Sequence, residues 1–402
     1  NKKIMRYKLL DDAFSSQDIE KGIRVLKSKQ ITMNKETRNF EKNFARKVGT
    51  KYALMVNSGS SANLIALFAS INPLQKNCLK RGDEVIIPAI CWSTSLWPIV
   101  QAGLKPVFVD VDKDTLNMSI KDLEKKISKK TKAIMCVHIL GISTEMKKIN
   151  HICKKKNLIL FEDTCESLGT TYDKKYLGTF GDYGTYSFYY SHQITSGEGG
   201  MVVCNSEKNY NILKSLRSHG WSRDTNFHKS IAKKYKKLDE KFLFINSGFN
   251  LRPTEIQAAI GNNQLKRLDK FIQIRNYNRK KIISALKKNY KWNEQFDFIY
   301  PKKNIYPSWF GLAILIKPQY KDKIKNFLKF VNSKKIETRP ILSGNFNNQP
   351  ASKLYNISLK KNNFPVSNLI QDTGFFLGIH TKKITLKELN FLSKNLLKIE
   401  EF

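Results

Sequence analysis

The chain has 59 lysines against 12 arginines, yet no lysine occurs between Lys175 and Lys208. Within that gap lies SFYYSHQITSGEGG, Ser187 to Gly200, whose one group titrating near neutral pH is His192. A segment without an amine cannot capture an aldehyde as a covalent imine. An imidazole can still move protons there. Cysteine is sparse: Cys78, Cys91, Cys136, Cys153, Cys165 and Cys204 are scattered, with no CxxC or CxC pair. That excludes the usual zinc and iron-sulfur spacings and reads as free thiols in a reducing cytoplasm. His138, His151, His228 and His380 add no metal-ligand spacing, so no metal is expected. The longest apolar runs are strand-length, far short of a membrane span. The opening NKKIMRYKLLDDAF has no apolar stretch followed by a cleavage site, and it reads as carrying no export signal.

The net charge of +37 and pI near 9.8 would ordinarily suggest nucleic acid or an anionic membrane. The excess is nearly all lysine, however, and is spread over every region. Arginine, the residue suited to bidentate phosphate and base contacts, is scarce. The expectation is therefore no nucleic-acid and no membrane partner, with the positive surface steering an anionic, nucleotide-linked substrate. Scarcity singles out Arg217, Arg223, Arg252 and Arg339 as candidates for specific work.

A 402-residue chain with 41% hydrophobic residues supports a large core. Short β-like runs recur with amphipathic stretches between them: YALMVNS, DEVIIPAI, KPVFVDVD, KAIMCVHI, NLILFED, YGTYSFYY and GMVVCN. Several are continuously apolar, as strands buried on both faces should be, so the pattern predicts an α/β domain with a largely parallel sheet. Beyond about Arg267 it changes. A lysine-rich helix over roughly Leu265 to Lys288 leads to a smaller α/β unit with strand-like SWFGLAILI and KKIETRPIL and a terminal helix near Leu386 to Ile399. The predicted division is 1–266 and 267–402.

NSGSSAN follows an apolar strand and precedes LIALFAS, which puts Gly59, Ser60 and Ser61 at a helix N-terminus suited to a phosphate. Alone, the motif reads more simply as a serine N-cap after a tight turn. FEDTCESLG puts Glu162 and Asp163 at the C-terminal end of a buried strand, where open α/β sheets build their sites. An acid there can keep a pyridine nitrogen protonated, or simply cap a helix. Trp92, after VIIPAI, can stack on a flat ring or sit in the core. Asn250 and Arg252, in SGFNLRPTEIQAAIG, occupy an irregular loop entering a helix. His219, in LRSHGWSRD, is a second titrating group or a plain loop histidine.

Taken in order, NSGSSAN, the CW after PAI, EDTCESLG, SFYYSHQITSGEGG, SGFNLRPTEIQAAIG and ETRPILSGN resemble the fold-type I pyridoxal-phosphate family of nucleotide-sugar aminotransferases and dehydratases, from about Ser58 to Gly378. Most members carry lysine where this chain has His192, and a small dehydratase branch carries histidine. The resemblance implies an aspartate-aminotransferase-like fold and pyridoxamine or pyridoxal 5'-phosphate as cofactor. It implies that Gly59, Ser60, Ser61 and Ser187 hold the cofactor phosphate and that Asn250 reaches it from a partner subunit. Trp92 would stack on the ring, and Asp163 would bind its nitrogen. His192 and His219, 27 positions apart, would be the catalytic histidines, with Arg223, Arg339 and Asn345 as sugar-nucleotide contacts.

The implied activity is a hydro-lyase of deoxysugar biosynthesis, the colitose type of O-antigen chemistry. It would remove the C3 hydroxyl of a nucleotide-linked 4-keto-6-deoxyhexose, GDP-4-keto-6-deoxy-D-mannose first among them. L-Glutamate would recharge the cofactor of a cytoplasmic homodimer with shared active sites. A related dehydratase type relies on an iron-sulfur cluster held by closely spaced cysteines after GEGG. This chain has no cysteine after Cys204. The alternatives are a sugar aminotransferase using a lysine from elsewhere, and a non-catalytic binding relative.

Overall fold

The structure is a computed structural model and describes residues 5–10, 13–289, 291–359 and 364–402. Part of the opening segment read for an export signal lies outside them. All seven β-like runs form strands: β1 Tyr52–Val56, β2 Glu84–Pro88, β3 Lys105–Val109, β4 Thr131–Val137, β5 Ile159–Asp163, then, after a short hairpin of β6 Thr171–Tyr172 and β7 Lys175–Tyr176, β8 Tyr183–Ser187 and β9 Gly200–Cys204. Seven of these nine make one sheet in the order β1-β9-β8-β5-β4-β2-β3. β9 pairs antiparallel with β1 and β8, and the remaining pairings are parallel.

The continuous apolar runs exist because both faces of this sheet are covered. Along β2, Val85 and Ile87 enter one buried cluster and Ile86 another; along β4, Met135 enters the first while Ile134 and Cys136 enter the second. That alternation is the two-residue period of a strand with a core on each side. The covering helices are α1 Ser16–Ser28, α2 Lys35–Val48, α3 Gly59–Ser70, α4 Ser93–Gln101, α5 Ile120–Lys126, α6 Met146–Lys156, α7 Glu207–Arg217, α8 His228–Lys234 and α9 Glu255–Leu265. Parallel strands deliver their carboxyl ends to one edge, so Asn57, Asp163 and Ser187 arrive together.

The helix expected over roughly Leu265 to Lys288 is α10, Leu268–Lys287, and it is separate from α9. The break falls at Lys266–Arg267, where the Arg267 guanidinium turns to the buried Asp18 carboxylate of α1. After α10, β10 Phe296–Phe298, β12 Gly311–Ile316, β13 Thr338–Pro340 and β14 Gly374–Gly378 form an antiparallel sheet ordered β10-β12-β14-β13; β11 Ile305–Tyr306 joins the β6–β7 hairpin instead. The terminal helix is Leu386–Leu396, and Ile399–Glu401 forms a separate 3-10 turn. The opening segment packs on this smaller unit: the Tyr7 hydroxyl donates to the Gly378 carbonyl at 3.0 Å.

One buried carboxylate joins α9 to α2. Glu255 accepts hydrogen bonds from the amides of Asn34, Glu36 and Thr37 and from the Thr37 hydroxyl, at 2.6–2.9 Å. It supplies the negative charge and the acceptors that the first turn of α2 needs, since Asn34 makes no side-chain cap. Glu255→Ala leaves those donors without partners inside the protein. It should cost about 2–4 kcal/mol, read as a lowered urea midpoint with the slope unchanged.

Candidate active site

The turn between β1 and α3 is built by its serines. Ser58 accepts from the Ser61 amide at 3.1 Å, and the Ser61 hydroxyl donates to Asn57 Oδ1 at 2.6 Å. These bonds absorb the Ser61 side chain but leave the Gly59 and Ser60 amides at the helix N-terminus, where no intrahelical acceptor exists. A Cβ at Gly59 would lie 2.5 Å from the Ser187 Cβ and 3.1 Å from the Cys165 sulfur, so only glycine lets the helix end approach β8 and the Asp163–Cys165 turn this closely. The Ser187 hydroxyl borders the same concavity, accepting from the Tyr189 amide at 3.3 Å.

The two acids at the end of β5 have different fates. Glu162 is consumed structurally, accepting from the amides of Gly178, Phe180 and Gly181 while His138 Nε2 lies 3.3 Å away. Asp163 accepts only from neutral donors: Asn63 Nδ2 at 2.8 Å, the Ser95 hydroxyl at 2.7 Å and the Cys165 amide at 3.1 Å. It is buried, and no lysine or arginine pairs with it among the described residues. A buried carboxylate left without a cation is suited to a protonated ring nitrogen. Trp92 caps α4 and is 54% exposed, so its indole faces outward and is open to a flat partner.

His192 carries the clearest chemical information. Its Nδ1 lies 2.5 Å from the Cys165 carbonyl oxygen, which can only accept, so Nδ1 holds the hydrogen and Nε2 keeps its lone pair. The Phe310 ring stands edge-on at 5.1 Å. Burial pulls the imidazole pKa down to about 4, against the Cys165 carbonyl and Asp163, which favour protonation; the Arg275 charge adds to the fall. At neutral pH His192 is therefore an uncharged base with one free nitrogen in a fixed direction.

Residues not singled out in the sequence complete this wall. Asn63 lies inside NSGSSAN and binds both Asp163 and the Thr185 hydroxyl. Glu166, inside EDTCESLG, accepts from the Leu140 amide at 2.9 Å, and burial pushes its carboxyl up to about 8, so it stands mostly protonated at neutral pH. Phe310 and Arg275 gave no motif signal. Arg275 donates to the Trp309 and Phe310 carbonyls at 2.9 and 3.3 Å and so fixes the Phe310 ring beside His192.

A second group forms elsewhere. Arg252 donates to Asn250 Oδ1 at 3.2 Å and stands 3.3 Å from His219 Nε2, where the guanidinium can only donate and that nitrogen accepts. Trp221 stands edge-on to His219 at 5.1 Å and carries Arg223 over its face at 4.5 Å. Asn250, Arg252, Trp221 and Arg223 border a cavity of about 670 Å³ together with Thr32, Arg38 and Arg217. Among the described residues no hydrogen bond or ring contact joins this group to His192, although the Asn57 amide donates to the Leu251 carbonyl. Arg339 is exposed and pairs in register with Phe376, whose ring lies 5.9 Å from Phe310, so it shares the sheet face that turns toward His192. Asn345 is fully buried, bonded to Asn368 and to the Asn347 amide. It holds a loop whose Ser343 hydroxyl donates to the Cys91 carbonyl beside Trp92.

Residues 13–390 match the DegT/DnrJ/EryC1/StrS aminotransferase family. A GDP-4-keto-6-deoxy-D-mannose 3-dehydratase of Escherichia coli O55:H7 is 37% identical over 380 residues, 94% of this chain and 96% of that protein. The solved structure of the E. coli GDP-4-keto-6-deoxy-D-mannose-3-dehydratase with bound hydrated PLP superposes with a TM-score of 0.90 at 35% identity, covering 98% of this chain and 100% of that one. A GDP-4-keto-6-deoxymannose-3-dehydratase structure with a trapped PLP-glutamate geminal diamine gives 0.88 at 35%, covering 97% and 100%.

In the cofactor-free protein, the His192 ring should titrate near pH 4 rather than 6.5, with Nδ1 protonated throughout the neutral range. Nitrogen NMR of histidine-labelled protein checks this. A midpoint at 6 or above would show that the ring is not held as described.

Proposed function

The chain belongs to the DegT/DnrJ/EryC1/StrS aminotransferase family, and from that premise we propose that it is a 3-dehydratase of a nucleotide-linked 4-keto-6-deoxyhexose, most simply GDP-4-keto-6-deoxy-D-mannose. The observation that carries this reading is His192: an uncharged imidazole with a free Nε2 at the position where the family's aminating members keep an amine. The donor set of the site fits pyridoxamine 5'-phosphate. The amides of Gly59 and Ser60 and the Ser187 hydroxyl would hold its phosphate, with Ser61 shaping the turn. Asp163 would hold its ring nitrogen protonated, and Trp92 would cover a ring face. When bound, this group supplies an amine for the sugar ketone and a ring that accepts electrons as the C3–oxygen bond breaks.

The protein's own part is proton traffic and exclusion of water. His192 Nε2, left free by the Nδ1 contact, would take up a proton at the cofactor's C4' carbon and would then be placed to protonate the departing C3 hydroxyl. The burial that lowers the ring's pKa to about 4 would also favour giving that proton up again. An amine here would instead bond to the aldehyde form of the cofactor and favour nitrogen delivery to the sugar. L-Glutamate would restore the amine form.

We further propose a homodimer with shared sites. Asn250, His219 and Arg223 form a group apart from their own chain's His192, as residues serving a partner's site would. Two uncovered apolar surfaces support this. Along α1, Ile19, Ile23 and Leu26 form one exposed stripe, and Leu238, Phe242 and Phe244 are exposed in the segment after α8. His219 would then touch substrate in the partner's site, with Arg223 and Arg339 meeting phosphate; Asn345 would act through the loop it pins. The six free cysteines suit a cytoplasmic enzyme of O-antigen sugar synthesis, the colitose type. No helix of the described residues is long and apolar enough to cross a membrane. The proposed units, 1–266 and 267–402, divide at the break between α9 and α10.

Replacing His192 by Asn removes the base while keeping a polar side chain, and dehydration should slow by at least about 10²-fold. Turnover within a few-fold of the parent would rule the assignment out. Borohydride reduction of the holoenzyme should leave no cofactor adduct on the polypeptide; a modified lysine would favour the aminotransferase instead. Mixing inactive His192→Asn and Asn250→Ala proteins under exchange conditions should regain part of the activity, because hybrid dimers contain one intact site. No recovery, in mixtures shown to contain hybrids, would mean that each chain is self-sufficient.

A further inference from the structure

A second cavity, of about 500 Å³, lies between α10 and the chain segment that leads into β12. Its charged groups are all positive: Arg279, Lys280 and Lys287, none of which has an ion-pair partner among the described residues. Aromatic and proline surface makes up much of the rest, from Tyr300, Trp309 and Pro307.

Arg279 is the unusual member. It is buried, with 8% of the residue exposed, its guanidinium carbon lies 3.9 Å from the centre of the Trp309 ring and 5.5 Å from that of Tyr300, and it donates to the Ile299 carbonyl. Its Nε has no hydrogen-bond partner among the described residues. Burial lowers its pKa to about 10, so the surroundings do not fully compensate the charge. A buried cation without a carboxylate is costly, and a face of Trp alone offsets only part of that cost. The half-exposed Tyr300 ring, with Lys287 Nζ 5.2 Å from its centre, lies beside it.

We propose that this cavity is a binding site for a nucleoside diphosphate, distinct from the catalytic site. The base would stack on the Tyr300 side of the Arg279–Trp309 pair, as planar bases stack on aromatic rings and guanidinium planes. Lys280 and Lys287 would meet the phosphates as point charges. An inorganic anion would leave the aromatic and proline walls unused, whereas a nucleotide uses both halves, and the volume is in the range of small-molecule sites.

The cavity also adjoins the catalytic wall. Trp309 borders it, and the next residue, Phe310, stands edge-on to His192. Asn276, which also lines the cavity, accepts from Trp309 Nε1 at 3.0 Å and donates to the Pro307 carbonyl at 2.8 Å, while Gln193, next to His192, donates to the Ser308 carbonyl at 3.1 Å. A nucleotide seated against Trp309 therefore presses on the strip of chain that shields His192, so nucleotide released by later steps would feed back on turnover.

The test is the stoichiometry of GDP binding to the holoenzyme by calorimetry at about 0.15 M salt, where loose attraction to the lysine-rich surface is screened. Two GDP per chain are expected for the parent and one for Lys287→Glu combined with Tyr300→Ala, with basal turnover and melting temperature kept. If the double variant is poorly folded, Lys287→Glu alone, an exposed position, should weaken only the second event. One GDP per chain in both proteins, or two in both, overturns the proposal. Should the catalytic assignment be the one that is wrong, the parent binds one and the variant none, so the two failures are told apart.

Discussion

Asp163 is the point through which the rest of the site is tied together. Its carboxylate draws Asn63 from α3, Ser95 from α4 and the Cys165 amide from the following turn, and Asn63 in turn holds Thr185 of β8. One buried charge thus fixes the helix end that presents Gly59 and Ser60, the helix that presents Trp92, and the turn whose Cys165 carbonyl orients His192. Hydrogen bonds to an ionised group are worth about 1.5–3 kcal/mol each, so three of them make a stiff junction. The charge itself remains uncompensated until a protonated group is brought to it, and that links the scaffold to the chemistry: the interaction that organises the site also defines what the site takes.

The exchange of an amine for an imidazole matters only because of where the imidazole is held. A solvent-exposed histidine would be part-protonated at neutral pH and free to rotate. Here the Cys165 carbonyl selects the tautomer, and burial keeps the ring neutral. Substituting histidine into the motif would not by itself give a directed base; it also takes the neighbouring turn and the Phe310 ring.

Much of the scaffold was legible in the sequence because the physics is local. A strand buried on both faces must be apolar throughout, and all seven such runs became strands of the main sheet. The serine turn before α3 was legible for the same reason, since an N-cap writes itself into consecutive residues. What could not be read is what depends on distant contacts. The break between α9 and α10 follows from Arg267 turning to Asp18 across 249 positions, which no helical periodicity records. Phe310 and Arg275 look like ordinary core residues until the fold brings them beside His192. Glu162 and Asp163 were indistinguishable as neighbours; only the 178–181 turn, closing on Glu162, leaves Asp163 for the site. Asn345 stood in a suggestive motif but is enclosed by its own loop.

Part of the burial that makes His192 a neutral base is supplied from outside the main sheet. Phe310 enters from the segment leading into β12, is backed by Phe376 of β14, and is held by carbonyl contacts to Arg275 of α10. The smaller unit therefore contributes to the proton affinity of a group carried by the larger one. Any movement that drew Phe310 away would admit water to the imidazole, raise its pKa toward 6.5 and weaken the acid formed after the first proton transfer.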